Sequence, residues 1–221
     1  MRVKPILFSA EMVRAILDGR KTVTRRLVRC SHRDAAGFNI VKNGNSEIVG
    51  VMDYDDDERS YEDYTIPPYR PGDILYVRET WRKRAVADNS GNIYAYKADV
   101  NEWYAENDKS TRWRPSIHMP REAARIFLRV TGVRVQRLQE IDEDGAIAEG
   151  CSAGRFETTG GPWGVEDNPD EWAAREDFSH VWDSTIKHAD LDRYGWAANP
   201  WVWVIHFERC EKPEGENHGN G

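Results

Sequence analysis

Residues 201–208 carry the strongest strand signal in the chain, with the sequence Trp-Val-Trp-Val-Ile-His-Phe-Glu. Aromatic and β-branched side chains of this kind pack well on a pleated strand. Further strand patterns occur at residues 3–8, 74–81, 92–98 and 126–135. Short strands that are separated by loops and only a few helices indicate a barrel and not a parallel doubly wound sheet. The sequence therefore predicts an α+β fold, a small mixed β-barrel with peripheral helices and loop insertions. Pro5 favours a sheet edge, because proline cannot donate to a ladder.

A short amphipathic helix precedes the segment with the most unusual chemistry. Its apolar positions share one helical face: Met12, Val13, Ile16 and Leu17. Ser9 can cap its start, and Gly19 ends it. Residues 19–26 then read Gly-Arg-Lys-Thr-Val-Thr-Arg-Arg. Glycine followed by cations is an ordinary helix C-cap, but such a cap does not need Lys21 and Thr24 at a spacing that lets both reach one point.

A carboxylate interrupts the apolar face of the strand predicted at residues 74–81. That face carries Leu75, Val77, Glu79 and Trp81. A buried carboxylate is costly unless it is paired or lines a cleft. Glu79 therefore either reaches solvent or a buried arginine, or it lines a pocket.

Two helices are predicted in the second half of the chain. Residues 141–150 begin with acidic residues and close with Gly150, which suits a short helix with a glycine C-cap. Pro169 can occupy the first turn of the other helix. The apolar residues of that second helix recur at helical spacing and are expected in the core: Phe178, Val181, Trp182 and Ile186.

Composition limits the chemistry. Three cysteines lie far apart, and six histidines include no metal-binding pairing, so we predict neither a metal nor a cofactor. His118 is either a hydrogen-bonded structural histidine or a site residue.

No apolar run approaches the roughly 20 residues of a membrane helix, and the N-terminus lacks a secretory apolar core, so we expect a cytoplasmic protein. The net charge of −7 argues against broad binding to duplex nucleic acid, while basic stretches leave room for a positive rim around a pocket.

The length of 221 residues is about 1.5 times that of a usual domain, so one domain with insertions is expected. We place this domain at residues 1–210. Residues 29–70 lose periodicity and contain an acidic cluster, which predicts a surface insertion. An extra helical region is expected at about 154–190, and a disordered tail at 211–221.

Four parts of the sequence resemble the ASCH family, and these are the segment after Gly19, the strand opening Gly72-Asp73, residues 141–150 and the tryptophan-rich last strand. The ASCH fold is similar to that of the PUA RNA-binding domains. The family pattern has a glycine, a lysine two positions on and an arginine five beyond that, which Gly19, Lys21 and Arg26 supply. Residues 18–24, Asp-Gly-Arg-Lys-Thr-Val-Thr, are similar to Ala-Gly-Arg-Lys-Thr-Ile-Thr in the small bacterial N(4)-acetylcytidine amidohydrolases.

The resemblance implies a hydrolase that acts on the acyl amide of a modified nucleoside or nucleobase. In those amidohydrolases the motif lysine is the proposed general base and the second threonine the nucleophile, which would be Lys21 and Thr24 here. Their glutamate aligns with Glu149, the candidate acid that protonates the leaving amine. Lys21 can act as a base only if burial or neighbouring arginines lower its pKa well below about 10.4. The candidate substrate contacts are Arg20, Arg26, Arg78, Glu79, Trp81 and His118.

Two other functions fit the same residues. A PUA-like module could hold a modified or flipped base of single-stranded RNA or DNA without hydrolysing it. Arg25, Arg26 and Arg78 could then contact phosphate, Trp81 or Tyr76 could stack on the base, and Glu79 could accept from an exocyclic amine. A ribonuclease, proposed for some ASCH proteins, would use Lys21 and Arg26 to stabilise charge at phosphorus. The chain is much longer than the small amidohydrolases, and its longer form resembles the phage and prophage branch of ASCH proteins, which is mostly unassigned.

Overall fold

The computed structural model describes residues 2–29, 37–46, 48–54, 60–84, 93–100, 112–152 and 173–213. The strands are β1 (Val3–Leu7), β2 (Val23–Leu27), β3 (Gly37–Lys42), β4 (Ile48–Tyr54), β5 (Ser60–Thr65), β6 (Ile74–Arg78), β7 (Trp81–Lys83), β8 (Tyr94–Tyr96), β9 (Phe127–Arg137) and β10 (Trp201–Cys210). The α-helices are α1 (Ala10–Leu17), α2 (Glu143–Ala148), α3 (Ala174–Thr185) and α4 (Leu191–Tyr194). The structure is therefore mixed α+β, as predicted.

The strands form three sheets. A five-stranded sheet has the hydrogen-bonded order β1-β6-β9-β10-β2, and smaller sheets have the orders β3-β4-β5 and β7-β8. β1 is an edge strand, which confirms the prediction from Pro5. No closed barrel is seen among the described strands, so the barrel stays a prediction. Within the described residues, no helix has the length and apolar character needed to span a membrane.

The chain divides into two compact units. The first unit contains Met1–Gly19, Pro71–Thr131 and Phe207–Gly221. The second unit contains Arg20–Arg70 and Gly132–His206. The long strands β9 and β10 each contribute residues to both units.

In the first unit, β1 pairs in parallel with β6, and β6 pairs antiparallel with β9. Helix α1 starts where the Ser9 hydroxyl accepts a hydrogen bond from the Met12 amide at 3.3 Å. The chain leaves α1 through Gly19, whose φ of 77° lies in the left-handed region that favours glycine. The capped amphipathic helix is therefore confirmed, with Val13 and Ile16 on its buried face.

The strand predicted at residues 74–81 is two strands in the structure, because β6 ends before Glu79 and β7 begins at Trp81. Trp81 lies opposite Tyr96 in β8 and exchanges backbone hydrogen bonds with Arg114. The hydrogen-bonding partners thus change at this point. Glu79 and Trp81 are both buried, so the alternation of apolar positions continues across the break and could not reveal it.

In the second unit, β2 pairs antiparallel with β10, and Arg25 lies opposite Val204. Helices α2 and α3 pack against one face of this pair. The buried cluster comprises Val23, Leu138, Ile141, Ala146, Cys151, Ala174, Phe178, Trp182, Val202 and Val204. The core position predicted for Phe178 and Trp182 is confirmed.

Residues 29–70 contain strands that the sequence pattern did not predict. β3, β4 and β5 form an antiparallel sheet. The centre of the Phe38 ring in β3 lies 4.6 Å from the centre of the Trp201 ring. The many polar and acidic side chains of this region obscure the alternation on which strand prediction depends. Residues 30–36, 47, 55–59, 153–172 and 214–221 lie outside the described residues, and with them much of the predicted region at 154–190 and most of the predicted tail.

Candidate active site

Two hydrogen bonds join the segment after Gly19 to the end of helix α2. The Thr22 amide donates to the Ala148 carbonyl at 2.9 Å, and Arg20 Nη1 donates to the Gly150 carbonyl at 2.9 Å. Gly150 has a φ of 94°, which reverses the chain immediately after the helix. These contacts position Lys21 and Glu149 between them.

Lys21 and Glu149 form the centre of the candidate site. Lys21 Nζ donates to Glu149 Oε2 at 2.5 Å and to the Glu149 backbone carbonyl at 2.8 Å. Lys21 is only 2% exposed and Glu149 only 7%. Although they are 128 positions apart in the sequence, the two candidate residues share one buried contact.

Arg25 occupies the other oxygen of the same carboxylate. Its Nη1 donates to Glu149 Oε1 at 3.1 Å, and its guanidinium lies 5.6 Å from the centre of the Phe178 ring. Within the described residues, Arg25 Nε and Nη2 are buried and have no hydrogen-bond partner. Each oxygen of Glu149 is thus held by a different cation, and Arg25 keeps two unused donors.

Thr24 and Arg26 lie on the strand face opposite Arg25, because side chains alternate along β2. Arg26 Nη1 donates to Thr24 Oγ1 at 2.8 Å and to the Arg25 carbonyl at 2.9 Å. Thr24 is 1% exposed. Thr24 Oγ1 is the acceptor in the contact with Arg26, and the hydroxyl keeps its own hydrogen as a donor.

The pKa of Lys21 lies below the ordinary lysine value because the side chain is buried, although the charge and hydrogen bond of Glu149 oppose the shift. The positive charge of Arg26 lowers the pKa of Lys21 further. Burial favours the neutral amine, so a lysine whose burial outweighs the effect of a neighbouring carboxylate gives up its proton more easily than a solvated one. This is the property that a general base requires.

His206 is a residue of this site that the sequence motifs did not indicate. It lies opposite Val23 in the β2–β10 pair, so it shares a sheet face with Arg25. Burial lowers the pKa of His206, and the charges of Arg134 and Arg25 lower it further, while Glu149 opposes them. A polar ring within the apolar run of β10 was the signal that could have identified it.

Cys151 lies directly after Gly150 and is also buried. Burial, together with the charges of Asp177 and Glu149, raises the pKa of the Cys151 thiol to about 12. A thiol that stays protonated is a poor nucleophile. Cys151 is therefore part of the packing around Glu149.

The other candidate residues belong to the first unit, and Glu79 has a partner there. Glu79 is 1% exposed and accepts from Arg125 Nε at 2.9 Å and from Arg125 Nη2 at 3.0 Å. Arg125 also donates to Asp99 at 2.8 Å and lies 4.0 Å from the centre of the Tyr96 ring. Of the alternatives set out from the sequence, the structure shows the buried carboxylate paired with an arginine.

Arg78, Trp81 and His118 are the remaining candidates in the first unit. Arg78 donates through Nε to the Met119 carbonyl at 2.9 Å and through Nη2 to the Ile117 carbonyl. Trp81 is buried. His118 is exposed and lines a cavity of about 650 Å³.

Access to the Lys21 site is restricted. Two concave regions, of about 650 and 300 Å³, are lined by other residues and not by Lys21, Thr24 or Glu149. Since these three side chains are almost wholly buried, a substrate can reach them only when covering side chains move. Within the described part of the chain, no group of three or more metal-binding side chains is present.

No family model, curated protein or solved structure matches the chain. The resemblance to the ASCH family therefore stays a prediction from the sequence motifs.

Proposed function

We propose that the protein has a PUA-like fold of the ASCH type and hydrolyses the acyl amide of a modified nucleoside or nucleobase such as N(4)-acetylcytidine. The observation that supports this most is the buried contact between Lys21 Nζ and Glu149 Oε2 at 2.5 Å. The motif resemblance assigns the base and the acid to these two residues independently of the structure. Their contact gives the base and the acid a direct path for a proton.

The reaction starts when the proton of the Lys21 ammonium passes to Glu149 Oε2, which leaves a neutral amine and a carboxylic acid. In the proposed reaction, the movement that admits the substrate brings Thr24 Oγ1 within reach of Lys21 Nζ. Lys21 Nζ then removes the hydroxyl proton of Thr24 as Thr24 Oγ1 attacks the acyl carbon. The tetrahedral intermediate collapses with cleavage of the C–N bond, and Glu149 gives its proton to the leaving exocyclic nitrogen. The acyl group is then an ester of Thr24.

Water completes the cycle. Its oxygen adds to the ester carbon while Glu149 takes one of its protons. The Lys21 ammonium returns a proton to Thr24 Oγ1 as the C–O bond to threonine breaks. Glu149 then returns its proton to Lys21 Nζ, which restores the starting ammonium and carboxylate. The products are the carboxylic acid and the free amine of the base.

The two arginines have separate parts in this proposal. Arg26 donates to Thr24 Oγ1 at 2.8 Å, so it fixes the position of the nucleophilic oxygen and stabilises negative charge that develops nearby. Arg25 holds Glu149 Oε1 at 3.1 Å, so only Oε2 is left to exchange a proton with Lys21. Arg25 is thus a positioning residue for the acid.

The proposal is tested by incubating the protein with N(4)-acetylcytidine and measuring cytidine and acetate by mass spectrometry. We expect Thr24→Val to abolish release, because valine keeps the shape of the side chain and removes the nucleophile. Thr22→Val is the matched control, since Thr22 is exposed and contacts Ala148 through its backbone. Release of acetate by Thr24→Val at the wild-type rate, or no release by the wild type, contradicts the proposal.

A second candidate function is recognition of a base without hydrolysis. The unused donors Arg25 Nε and Nη2 favour it, because buried guanidinium hydrogens without acceptors are costly and the acceptor atoms of a bound base would satisfy them. In equilibrium dialysis, a recognition module retains N(4)-acetylcytidine and forms no product. Mass analysis of a parallel incubation with RNA identifies a ribonuclease, which shortens the strand.

A further inference from the structure

The first unit contains a strongly basic cavity that the proposed hydrolysis does not use. Its volume is about 650 Å³, which is in the range of small-molecule sites. Four permanent cations line it: Arg82, Lys83, Arg112 and Arg114. The other described residues of the lining are Trp113, Pro115 and the exposed His118.

The charge of this cavity contrasts with that of the protein. The chain has a net charge of −7, yet among the described residues none of those that line the cavity is an aspartate or a glutamate. Concave surfaces of one charge concentrate the field and attract ligands of the opposite charge. The four positive charges around the cavity repel each other. An anion bound there would offset this electrostatic repulsion.

Arg125, in the same unit, is an arginine with a structural role. Arg125 is held by carboxylates on two sides, Glu79 at 2.9 Å and Asp99 at 2.8 Å. Arg112 and Arg114 instead lie exposed at the cavity. Among the described residues no carboxylate forms an ion pair with Arg112 or Arg114, so the charges of these two arginines are available to an anion from outside the protein.

Aromatic rings shape the rest of the site. The Arg82 guanidinium lies 5.0 Å from the centre of the half-buried Trp113 ring, and the Arg114 guanidinium lies 5.3 Å from that of Trp81. Such contacts fix guanidinium groups in place with little further loss of entropy on binding. A half-exposed indole beside cations provides a surface on which a planar base can stack.

We infer that this cavity is a second ligand site, which binds a nucleotide through its phosphate groups and stacks the base on Trp113. The ligand is either a free nucleotide or a unit of single-stranded nucleic acid, since both present phosphate next to a planar ring. The inference does not depend on the hydrolase proposal, because the residues given the reaction, Lys21, Thr24 and Glu149, do not line this cavity.

The test uses fluorescence anisotropy with the full chain and two probes, a labelled single-stranded 12-nucleotide oligomer and a labelled ATP, at low and high salt. We expect Arg112→Glu to weaken binding of the preferred probe about tenfold or more, the size of one lost charge-assisted hydrogen bond. Affinity for an oligomer should also fall with added salt. The matched control is Arg129→Glu, which makes the same charge change at an exposed position of the first unit that does not line the cavity.

Trp113→Leu separates stacking from charge. It should weaken binding of the labelled probe and leave competition by inorganic pyrophosphate unchanged, because pyrophosphate has no ring. Preference for the oligomer identifies nucleic acid as the source of the phosphate, and preference for ATP identifies a free nucleotide. The inference is overturned if neither probe binds, or if Arg112→Glu and Arg129→Glu weaken binding equally.

Discussion

Two buried carboxylates, Glu149 and Glu79, each lie beside cations, but the cations differ in kind and in exposure. The side chain of Lys21 beside Glu149 is 0% exposed, whereas that of Arg125 beside Glu79 is 27% exposed. Burial lowers the pKa of Lys21. Burial alone would also lower the pKa of Arg125, but the hydrogen bonds and charges of Glu79 and Asp99 raise it.

This difference separates a pair that can transfer a proton from one that can only hold a position. An arginine does not lose its proton in a protein, whatever its partner. A buried lysine can lose it, because the neutral amine avoids the cost of a desolvated charge. We therefore expect changes at Glu149 to act on turnover as well as on stability, and changes at Glu79 to act on stability alone.

The largest expected effect is on turnover. Glu149→Gln removes the proton donor for the leaving nitrogen, and we expect release of acetate from N(4)-acetylcytidine to fall about 10²–10⁴-fold. Glu140→Gln is the control for losing a glutamate, since Glu140 is exposed and accepts from the Arg137 amide. If both variants lose activity to the same extent, the role given to Glu149 is wrong.

The second effect is on stability. Glu79→Gln removes one of the two carboxylate partners of the Arg125 guanidinium and leaves Asp99 as the other, and we expect the free energy of unfolding in urea to fall by about 2 kcal/mol. This is less than the about 3–5 kcal/mol of a wholly buried pair, because water reaches part of Arg125. Glu122→Gln, at an exposed glutamate that accepts from the Tyr94 hydroxyl at 2.7 Å, should change the unfolding free energy by less than about 0.5 kcal/mol. Equal losses in Glu79→Gln and Glu122→Gln would show that the buried pair of Glu79 with Arg125 stabilises the fold no more than the exposed contact of Glu122 with Tyr94.

A third effect concerns the support of Arg25. A Cβ atom at Gly145 would lie 2.7 Å from Asp142 Oδ1 and 3.1 Å from Arg25 Nη2. We expect Gly145→Ala to lower the unfolding free energy by about 1–2 kcal/mol, because it disturbs the N-cap of α2. In Gly132→Ala the new Cβ has its nearest neighbour at 3.9 Å, so little change is expected. A stabilised Gly145→Ala would show that the packing around Arg25 is loose.

The smallest effect is a pH dependence from His206. Its pKa in the folded protein lies below the ordinary 6.5, so the unfolded chain takes up a proton first as the pH falls. The unfolding free energy should therefore decrease as the pH drops below 6.5, and the decrease should stop below the folded pKa. His206→Gln should make the profile flatter in that range, as measured by urea unfolding at several pH values. An unchanged profile would show that His206 titrates alike in both states.

Much of the local structure could be predicted because local contacts determine it. Ser9 and Gly19 bound helix α1 in the sequence and in the structure, since a side-chain cap and a left-handed turn require only neighbouring residues. Strand β10 was evident from its aromatic and β-branched composition. The candidate residues Lys21 and Glu149 were also found from sequence, as members of motifs.

The tertiary structure alone decided which groups meet. Glu79 pairs with Arg125, 46 positions away, and Lys21 pairs with Glu149, 128 positions away, and alternation along the chain does not specify either partner. It also decided that Lys21 is buried, and this burial changes its pKa. Proton affinity depends on the surrounding dielectric and on nearby charges, which exist only once distant segments have packed together. The sequence by itself determined the side chains that are available for chemistry, and the packing determined which of them can react.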